Sequence, residues 1–270
     1  MTHPSHSSQA IDGGWSDFIR GSVPGHAVQI YSDLSELAGS VSSYLAAGFE
    51  LGEPAVVVAG PEHLAQFTAA LAAAGWDDAR IESAGLLAHA DAGETLEAIM
   101  DGGDAPSAQA FGSVLETLLD RFPGTRVRAF CELVDLFSRR GRQDAAIALE
   151  ELWNELGRRR DFSLLCGCHL DVFDLESQAG TLPDVCRTHS HVLPVLDPAR
   201  LQRAVDEALE EVLGAVEAAK VYVLVGQQVR AHRVPMAQVL LMWISGNMPA
   251  RAERILAVAR ARYAAEPAAA

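Results

Sequence analysis

Short apolar runs alternate with stretches of helical spacing along the first two thirds of this chain. His26–Tyr31 and Ala55–Ala59 are the first two runs, and the second is continuously apolar, as in a strand that is covered on both faces. Between them, apolar residues recur three and four positions apart, which predicts a helix with Ser32 or Asp33 as its N-cap. The chain therefore begins as strand, helix, strand.

The same alternation continues downstream. Further strands are predicted at Leu86–Asp91, Val127–Cys131 and Phe162–Cys168, and each is separated from the next by residues with helical periodicity. Strands that are separated by helices pair in parallel through right-handed crossovers. We therefore predict an α/β fold, a three-layer sandwich with a mainly parallel sheet, over roughly residues 24–175.

The pattern changes at Pro194 and Pro198, after which strand signals nearly vanish and apolar residues follow helical spacing. We predict three segments: a flexible N-terminal segment at 1–22, the α/β domain at 23–195 and an all-helical module at 196–266. The apolar face of this module has three roles that stay open: packing on the sheet domain, forming a homodimer or receiving a signalling partner.

Composition and charge restrict the class of protein. The chain has 270 residues, of which 49% are hydrophobic, and its formal net charge is −15. Such an acidic chain is unsuited to a nonspecific grip on phosphate backbones, so we expect no direct nucleic-acid partner. The sequence has no apolar run of bilayer-spanning length and no signal peptide, which predicts a cytoplasmic protein without a membrane partner.

Polar residues directly after three predicted strands are candidates for a binding site. In open α/β sheets, ligands bind beyond the carboxyl ends of the strands. That rule selects Tyr31, Ser32 and Asp33 after the first strand, Glu132 after the Val127 strand, and Cys168 and His169 after the last. Glu132 is the strongest candidate because a carboxylate there faces desolvation. The alternative to ligand binding is a structural role, in which the N-terminus of the following helix stabilises the charge of Glu132.

Several short motifs occur in the order found in one family. TRVRAFCELV, LEELWNEL and DFSLLCGCHL, with HAVQIY and GFELGEPAVVVA upstream, resemble the MEDS family, the sensory domain named after the regulator DcmR. The resemblance covers about residues 22–195 and implies ligand sensing on a RecA-like or KaiC-like sheet. The chain has Cys131-Glu132-Leu133 where the family usually has a Gly-Glu-Met-like sequence, so a close backbone approach by Gly is in doubt.

The RecA-like resemblance does not extend to nucleotide hydrolysis. A phosphate-binding loop needs G-x-x-x-x-G-K-[ST], in which backbone N–H groups, Lys and a hydroxyl meet the phosphates and magnesium. After the first strand this chain has Tyr31-Ser-Asp-Leu-Ser-Glu, with neither Gly nor Lys. We therefore expect a non-catalytic domain that needs no cofactor and binds a ligand with little negative charge.

The resemblance adds three residues to the predicted ligand site. His26 matches a histidine of the family's first strand, Cys166 matches its LLC sequence, and Trp153 lies in its LE-x-LWN helix. Each has a structural alternative. His26 lies at the amino end of its strand, where a histidine bonds to a neighbouring loop, whereas Cys166 and Trp153 suit an apolar core.

A group of cysteines and histidines raises a metal hypothesis. Its members are Cys166, Cys168, His169, Cys186, His189 and His191. Their C-x-C-H and C-x-x-H-x-H spacing differs from the usual C-x-x-C of zinc sites, so we expect separately buried thiols, surface histidines and no metal site.

The function that these observations predict is that of a bacterial sensor. MEDS domains are proposed to sense simple hydrocarbon derivatives, and their partners include transcription regulators, histidine kinases and anti-sigma systems. We expect a small organic ligand to bind above the sheet and to change how the helical module meets a regulatory partner. Two alternatives are a metal-responsive or redox-responsive regulator that uses the Cys and His residues, and a cryptic enzyme that uses Glu132.

Overall fold

The computed structural model describes residues 15–21, 25–100, 102–228 and 234–266. The described residues divide into two compact units, Ser16–His169 and the unit that begins at Leu170, which we call the Leu170–Ala270 unit. Most of the predicted flexible segment at 1–22 lies outside the described residues. Within that segment, residues 15–19 are helical.

Five parallel strands form the sheet of the Ser16–His169 unit. They are β1 (His26–Tyr31), β2 (Ala55–Ala59), β3 (Leu87–Asp91), β4 (Val127–Cys131) and β5 (Phe162–His169). Hydrogen bonds join them in the order β3-β2-β4-β5-β1. β2 and β4 are buried along their whole length, and for β2 its continuous apolar run predicts this burial. The predicted parallel α/β sheet is confirmed.

Seven helices connect or follow these strands. They are α1 (Leu34–Glu50), α2 (Pro61–Ala73), α3 (Asp78–Ala84), α4 (Ala92–Met100), α5 (Ala108–Leu119), α6 (Leu133–Arg139) and α7 (Gln143–Arg159). α1 begins as its sequence predicts, because the side chain of Asp33 accepts a hydrogen bond from the Ser35 N–H at 2.7 Å. Pro61 stands at the first position of α2, where its missing N–H costs nothing.

Helices cover both faces of the sheet. On one face, the Tyr44 hydroxyl of α1 lies 2.7 Å from the Ser163 side-chain hydroxyl of β5. On the other face, Glu150 of α7 lies within 4.8 Å of the Cys166 side chain of the same strand. Ser163 and Cys166 are three residues apart in β5, so their side chains point to opposite faces. The first unit therefore has three layers.

The Leu170–Ala270 unit is mainly helical. A π-helical turn (Ser177–Thr181) and α8 (Leu182–Thr188) lead to the short strand β6 (His191–Leu193). Four helices follow: α9 (Pro198–Leu213), α10 (Ala215–Gln228), α11 (Met236–Asn247) and α12 (Pro249–Ala265). Leu209, Ile244 and Ile255 are buried together in its core. This confirms the predicted helical C-terminal region. Among the described helices, none combines the length and apolarity needed to cross a bilayer.

Candidate functional site

The carboxyl ends of the parallel strands bring polar side chains together at one edge of the sheet. We call Tyr31, His63, Glu132, Asp135, Arg139 and His169 the carboxyl-edge cluster. Tyr31 and His169 are the last residues of β1 and β5, and their Cα positions are partners in the strand register. Their rings meet edge to face, with the centroids 5.3 Å apart.

Glu132 directly follows β4, and its carboxylate has two partners from the segment after β2. Its Oε1 accepts a hydrogen bond of 2.6 Å from the Gly60 N–H, and its Oε2 contacts His63 Nδ1 in a short hydrogen-bonded ion pair. Glu132 is the N-cap residue of α6, yet its side chain makes no capping hydrogen bond to that helix. The hydrogen bond to Glu132 raises the pKa of His63, so a positive charge on the imidazole is favoured.

A second ion pair lies beside the first. Arg139 Nε contacts Asp135 Oδ2 at 2.7 Å, one helical turn apart on α6, and an Arg139 amino group donates a hydrogen bond of 2.9 Å to the Tyr31 hydroxyl. Asp135 Oδ1 also accepts from the His169 backbone N–H at 2.8 Å. Burial raises the pKa of Asp135 and that of Tyr31. The cluster thus links the ends of β1 and β5 to α6.

Of the six residues that the strand-end rule selects, the structure places three in this cluster: Tyr31, Glu132 and His169. Asp33 lies outside it, because its side chain is engaged as the exposed N-cap of α1. Sequence reasoning missed His63, Asp135 and Arg139. Two features of the sequence could have indicated them. His63 lies in the first turn after β2, and Asp135 and Arg139 follow β4 with the i,i+4 spacing of a helical ion pair.

A different group of polar side chains lies between the sheet and α7. We call His26, Glu150, Asn154 and Cys166 the His26 cluster. The Nε2 atom of His26 lies 3.2 Å from Cys166 Sγ and 3.3 Å from Glu150 Oε2, and Nδ1 lies 3.2 Å from Asn154 Oδ1. Val28 pairs with Cys166, and His26 points to the same face as Val28, so β1 and β5 bring the two groups together.

Burial controls the protonation of the His26 cluster. It lowers the pKa of His26 to about 4, against the rise that the hydrogen bond donated to Asn154 alone would cause. It raises the pKa of Glu150 from 4.5 to about 8, and it also raises the pKa of the Cys166 thiol. Desolvation penalises every charged form, so all three groups favour their neutral forms near neutral pH.

Trp153 lies in neither cluster. Its ring is buried on α7 and packs edge to face on Phe111 of α5 and Phe162 of β5, with centroid distances of 5.2 and 5.9 Å. This position in the aromatic core matches the packing alternative for this residue.

The cysteines and histidines of the sequence-based metal hypothesis are divided between the two units of the chain. Cys168 points to the same face as Cys166, whereas His169 points to the other face, towards Tyr31. Cys186, His189 and His191 belong to the Leu170–Ala270 unit, and both of these histidines are buried, so the expectation of surface histidines is wrong for them. All four cysteines lie within the described residues, where they are buried and form no disulfide.

Comparison with known families gives one match. The model of the family MEDS, described as the MEthanogen/methylotroph, DcmR Sensory domain, matches residues 25–190. No curated protein matches the chain significantly. The matched segment contains β1 to β5 and every residue of both clusters.

Proposed function

The chain belongs to the MEDS family of sensory domains, and from that premise we propose that it binds a small, uncharged polar organic molecule at the carboxyl-edge cluster. A simple hydrocarbon derivative such as an alcohol or an aldehyde fits this description. The protein acts as a non-catalytic sensor, and it passes its ligand state to a regulatory protein through the helical C-terminal unit. The observation that carries the proposal is the convergence of Tyr31, Glu132 and Arg139 at the edge where open α/β sheets bind ligands.

The charges of this cluster favour a ligand without net charge. Glu132 pairs with His63, and Asp135 pairs with Arg139. A charged ligand would compete with one partner of a pair and leave the other partner uncompensated, which is costly where the carboxylates are buried. A neutral hydroxyl or carbonyl group can exchange hydrogen bonds with Tyr31 and Arg139 while both pairs persist.

The hydrogen bond between Tyr31 and Arg139 is the element that a ligand would change. Tyr31 ends β1, and Arg139 ends α6, so the bond joins the sheet to a short helix. A ligand hydroxyl inserted between the two would accept a hydrogen bond from Arg139 and donate one to the tyrosine hydroxyl, and it would bind best to the state in which the direct bond is open. Such differential affinity is the requirement for a ligand to shift a conformational equilibrium.

Binding measurements on conservative variants test the proposal. We would screen primary alcohols, aldehydes and dihalogenated methanes by thermal shift, and measure hits by calorimetry with wild type, Tyr31→Phe and Asp33→Asn. Loss of one hydrogen bond should weaken binding about tenfold in Tyr31→Phe. Asp33→Asn changes a polar group outside the cluster and should bind as wild type. Binding that is equal in all three proteins, or absent for the whole panel, would overturn the proposed site.

A cryptic enzyme remains a second candidate because of one contact. The ion pair of His63 with Glu132 is an arrangement that general acid–base catalysis also uses. This candidate predicts that a panel compound is consumed by wild type and that Glu132→Gln abolishes turnover while the protein stays folded. The sensor predicts that every bound compound is recovered unchanged.

A further inference from the structure

The His26 cluster combines three side chains that are typical ligands of a transition metal. We propose that His26 Nε2, Cys166 Sγ and Glu150 Oε2 bind one zinc ion. The cluster shares no residue with the carboxyl-edge cluster, so this inference does not rest on the proposed function.

The spacing of the three atoms fits one shared cation. His26 Nε2 lies 3.2 Å from Cys166 Sγ and 3.3 Å from Glu150 Oε2, and the three atoms all lie within 4.8 Å of one another. Zinc binds imidazole nitrogen and carboxylate oxygen at about 2.0 Å and thiolate sulfur at about 2.3 Å, with tetrahedral geometry. Neighbouring ligand atoms are then roughly 3.3 to 3.6 Å apart. The two distances from His26 Nε2 already lie close to these values.

Asn154 supplies the second-shell contact that a zinc-bound histidine needs. Its Oδ1 lies 3.2 Å from Nδ1 of His26, so it can accept a hydrogen bond from the Nδ1–H group. The Nε2 lone pair is then directed at Cys166 and Glu150. Metal-binding histidines generally donate their other ring N–H in this way. Glu150 and Asn154 lie one turn apart on α7, so a single helix presents a ligand and the group that orients the histidine.

Hydrogen bonding alone accounts poorly for the contacts of His26 Nε2. A ring nitrogen has one lone pair or one hydrogen in the plane of the ring, so it forms one well-directed hydrogen bond. Here the thiol and the carboxyl group approach the same nitrogen at nearly equal distances. A cation among the three atoms engages all of them at once.

The charge of the ligand set also matches zinc. Neutral His26 with the thiolate of Cys166 and the carboxylate of Glu150 carries two negative charges, which balance Zn²⁺ in a buried site. Zinc takes the place of the protons of the thiol and the carboxylic acid when it binds the two groups.

The mixed sulfur, nitrogen and oxygen set selects the metal class. A thiolate favours zinc over magnesium and calcium, which prefer oxygen ligands. We therefore expect that neither magnesium nor calcium displaces zinc from the site at equal concentration.

Metal titration of the full chain, produced without a histidine tag, tests the proposal. After chelator treatment, zinc affinity is measured by competition with a chromophoric chelator, and cobalt is added as a spectroscopic probe. We expect one zinc per chain, and a thiolate-to-cobalt absorption band that Cys166→Ser abolishes. Glu150→Gln, which keeps the shape of the side chain, should weaken zinc binding at least about tenfold.

Cys168→Ser is the matched control, because Cys168 is buried on the same strand and face as Cys166. It should retain the affinity and the cobalt band of wild type. If the Cys166 variant fails to fold, protection of Cys166 from alkylation in zinc-loaded wild type, read by peptide mass spectrometry, gives the answer without a substitution. Absence of stoichiometric zinc, zinc without protection of Cys166, or an equal loss in Cys168→Ser would overturn the proposal.

Discussion

The guanidinium group of Arg128, in the central strand β4, donates a hydrogen bond of 2.7 Å from Nε to the carboxylate of Glu53. The arginine side chain is fully buried, and it also donates to the backbone carbonyls of Tyr44 and Ile19. One buried cation therefore ties β4 to the loop before β2, to α1 and to the helical segment that precedes β1.

Removal of the carboxylate of Glu53 should destabilise the protein strongly. Glu53→Ala leaves Arg128 buried without its counter-ion, and we expect a loss of about 3 kcal/mol in the free energy of unfolding. Glu50→Ala, which removes an exposed acid at the end of α1, is the control and should change stability by less than about 0.5 kcal/mol. Urea denaturation measures both variants. Equal effects would show that the ion pair contributes little.

Two glycines of α1 should respond oppositely to alanine. A Cβ atom on Gly48 would lie 2.4 Å from Cδ of Arg128 and 2.6 Å from its Nε, and the hydrogen bonds of Arg128 prevent the side chain from moving aside. We expect Gly48→Ala to lose about 1 to 3 kcal/mol. Gly39 has no atom within 4 Å of its Cβ position, so Gly39→Ala should gain about 0.5 to 1 kcal/mol from helix propensity. Thermal and urea unfolding distinguish these signs; stabilisation by both changes would contradict the packing described for Arg128.

The imidazole of His63 should titrate above its ordinary pKa of 6.5, because its hydrogen bond to Glu132 favours the charged form. The pair therefore stabilises the fold fully below pH 6.5, and its contribution is lost as the pH rises through the higher folded pKa. NMR titration of the His63 ring should show the raised pKa in wild type. It should show the same pKa in the control variant Glu62→Gln, which changes the neighbouring exposed acid. The pKa should fall in Glu132→Gln. An unchanged pKa in that variant would exclude the pair as the cause.

Trp153 should contribute to stability and not to ligand recognition. Its ring packs on Phe111 and Phe162, so Trp153→Ala should cost about 3 to 5 kcal/mol through the cavity that it leaves. Trp153→Phe keeps an aromatic group in the core, and it should bind any ligand of the carboxyl-edge cluster with wild-type affinity. A selective loss of affinity in this variant, at unchanged stability of the unliganded protein, would assign Trp153 to the ligand site.

The sequence predicts the fold well because local signals and burial agree. The continuous apolar run Ala55–Ala59 forms the buried strand β2, and Asp33 caps the helix that its position predicts. The environment of Arg128 is one feature that the sequence does not predict. Its alternation with apolar neighbours gives no sign that both faces of β4 are buried, and its partner Glu53 lies 75 residues away in the chain.

The candidate sites depend on long-range geometry that the apolar pattern does not contain. Tyr31, Glu132 and His169 could be predicted, since carboxyl ends of parallel strands share one edge. The contact of His63 with Glu132 could not be predicted, because it requires that β2 and β4 are neighbours in the sheet. The approach of His26 to Cys166 likewise requires that β1 and β5 are adjacent, and sequence order alone does not give strand order.

An NMR titration of the labelled full chain with the screened alcohols and aldehydes tests the central claim, ligand sensing at the carboxyl edge, most directly. The backbone N–H groups of Gly60 and His169 donate to the carboxylates of Glu132 and Asp135, so their signals report on the cluster. Ser35 makes the same kind of bond to Asp33 outside it. We predict saturable shifts of Gly60 and His169 with Ser35 unchanged. Saturable binding that leaves Gly60 and His169 unshifted would contradict the account.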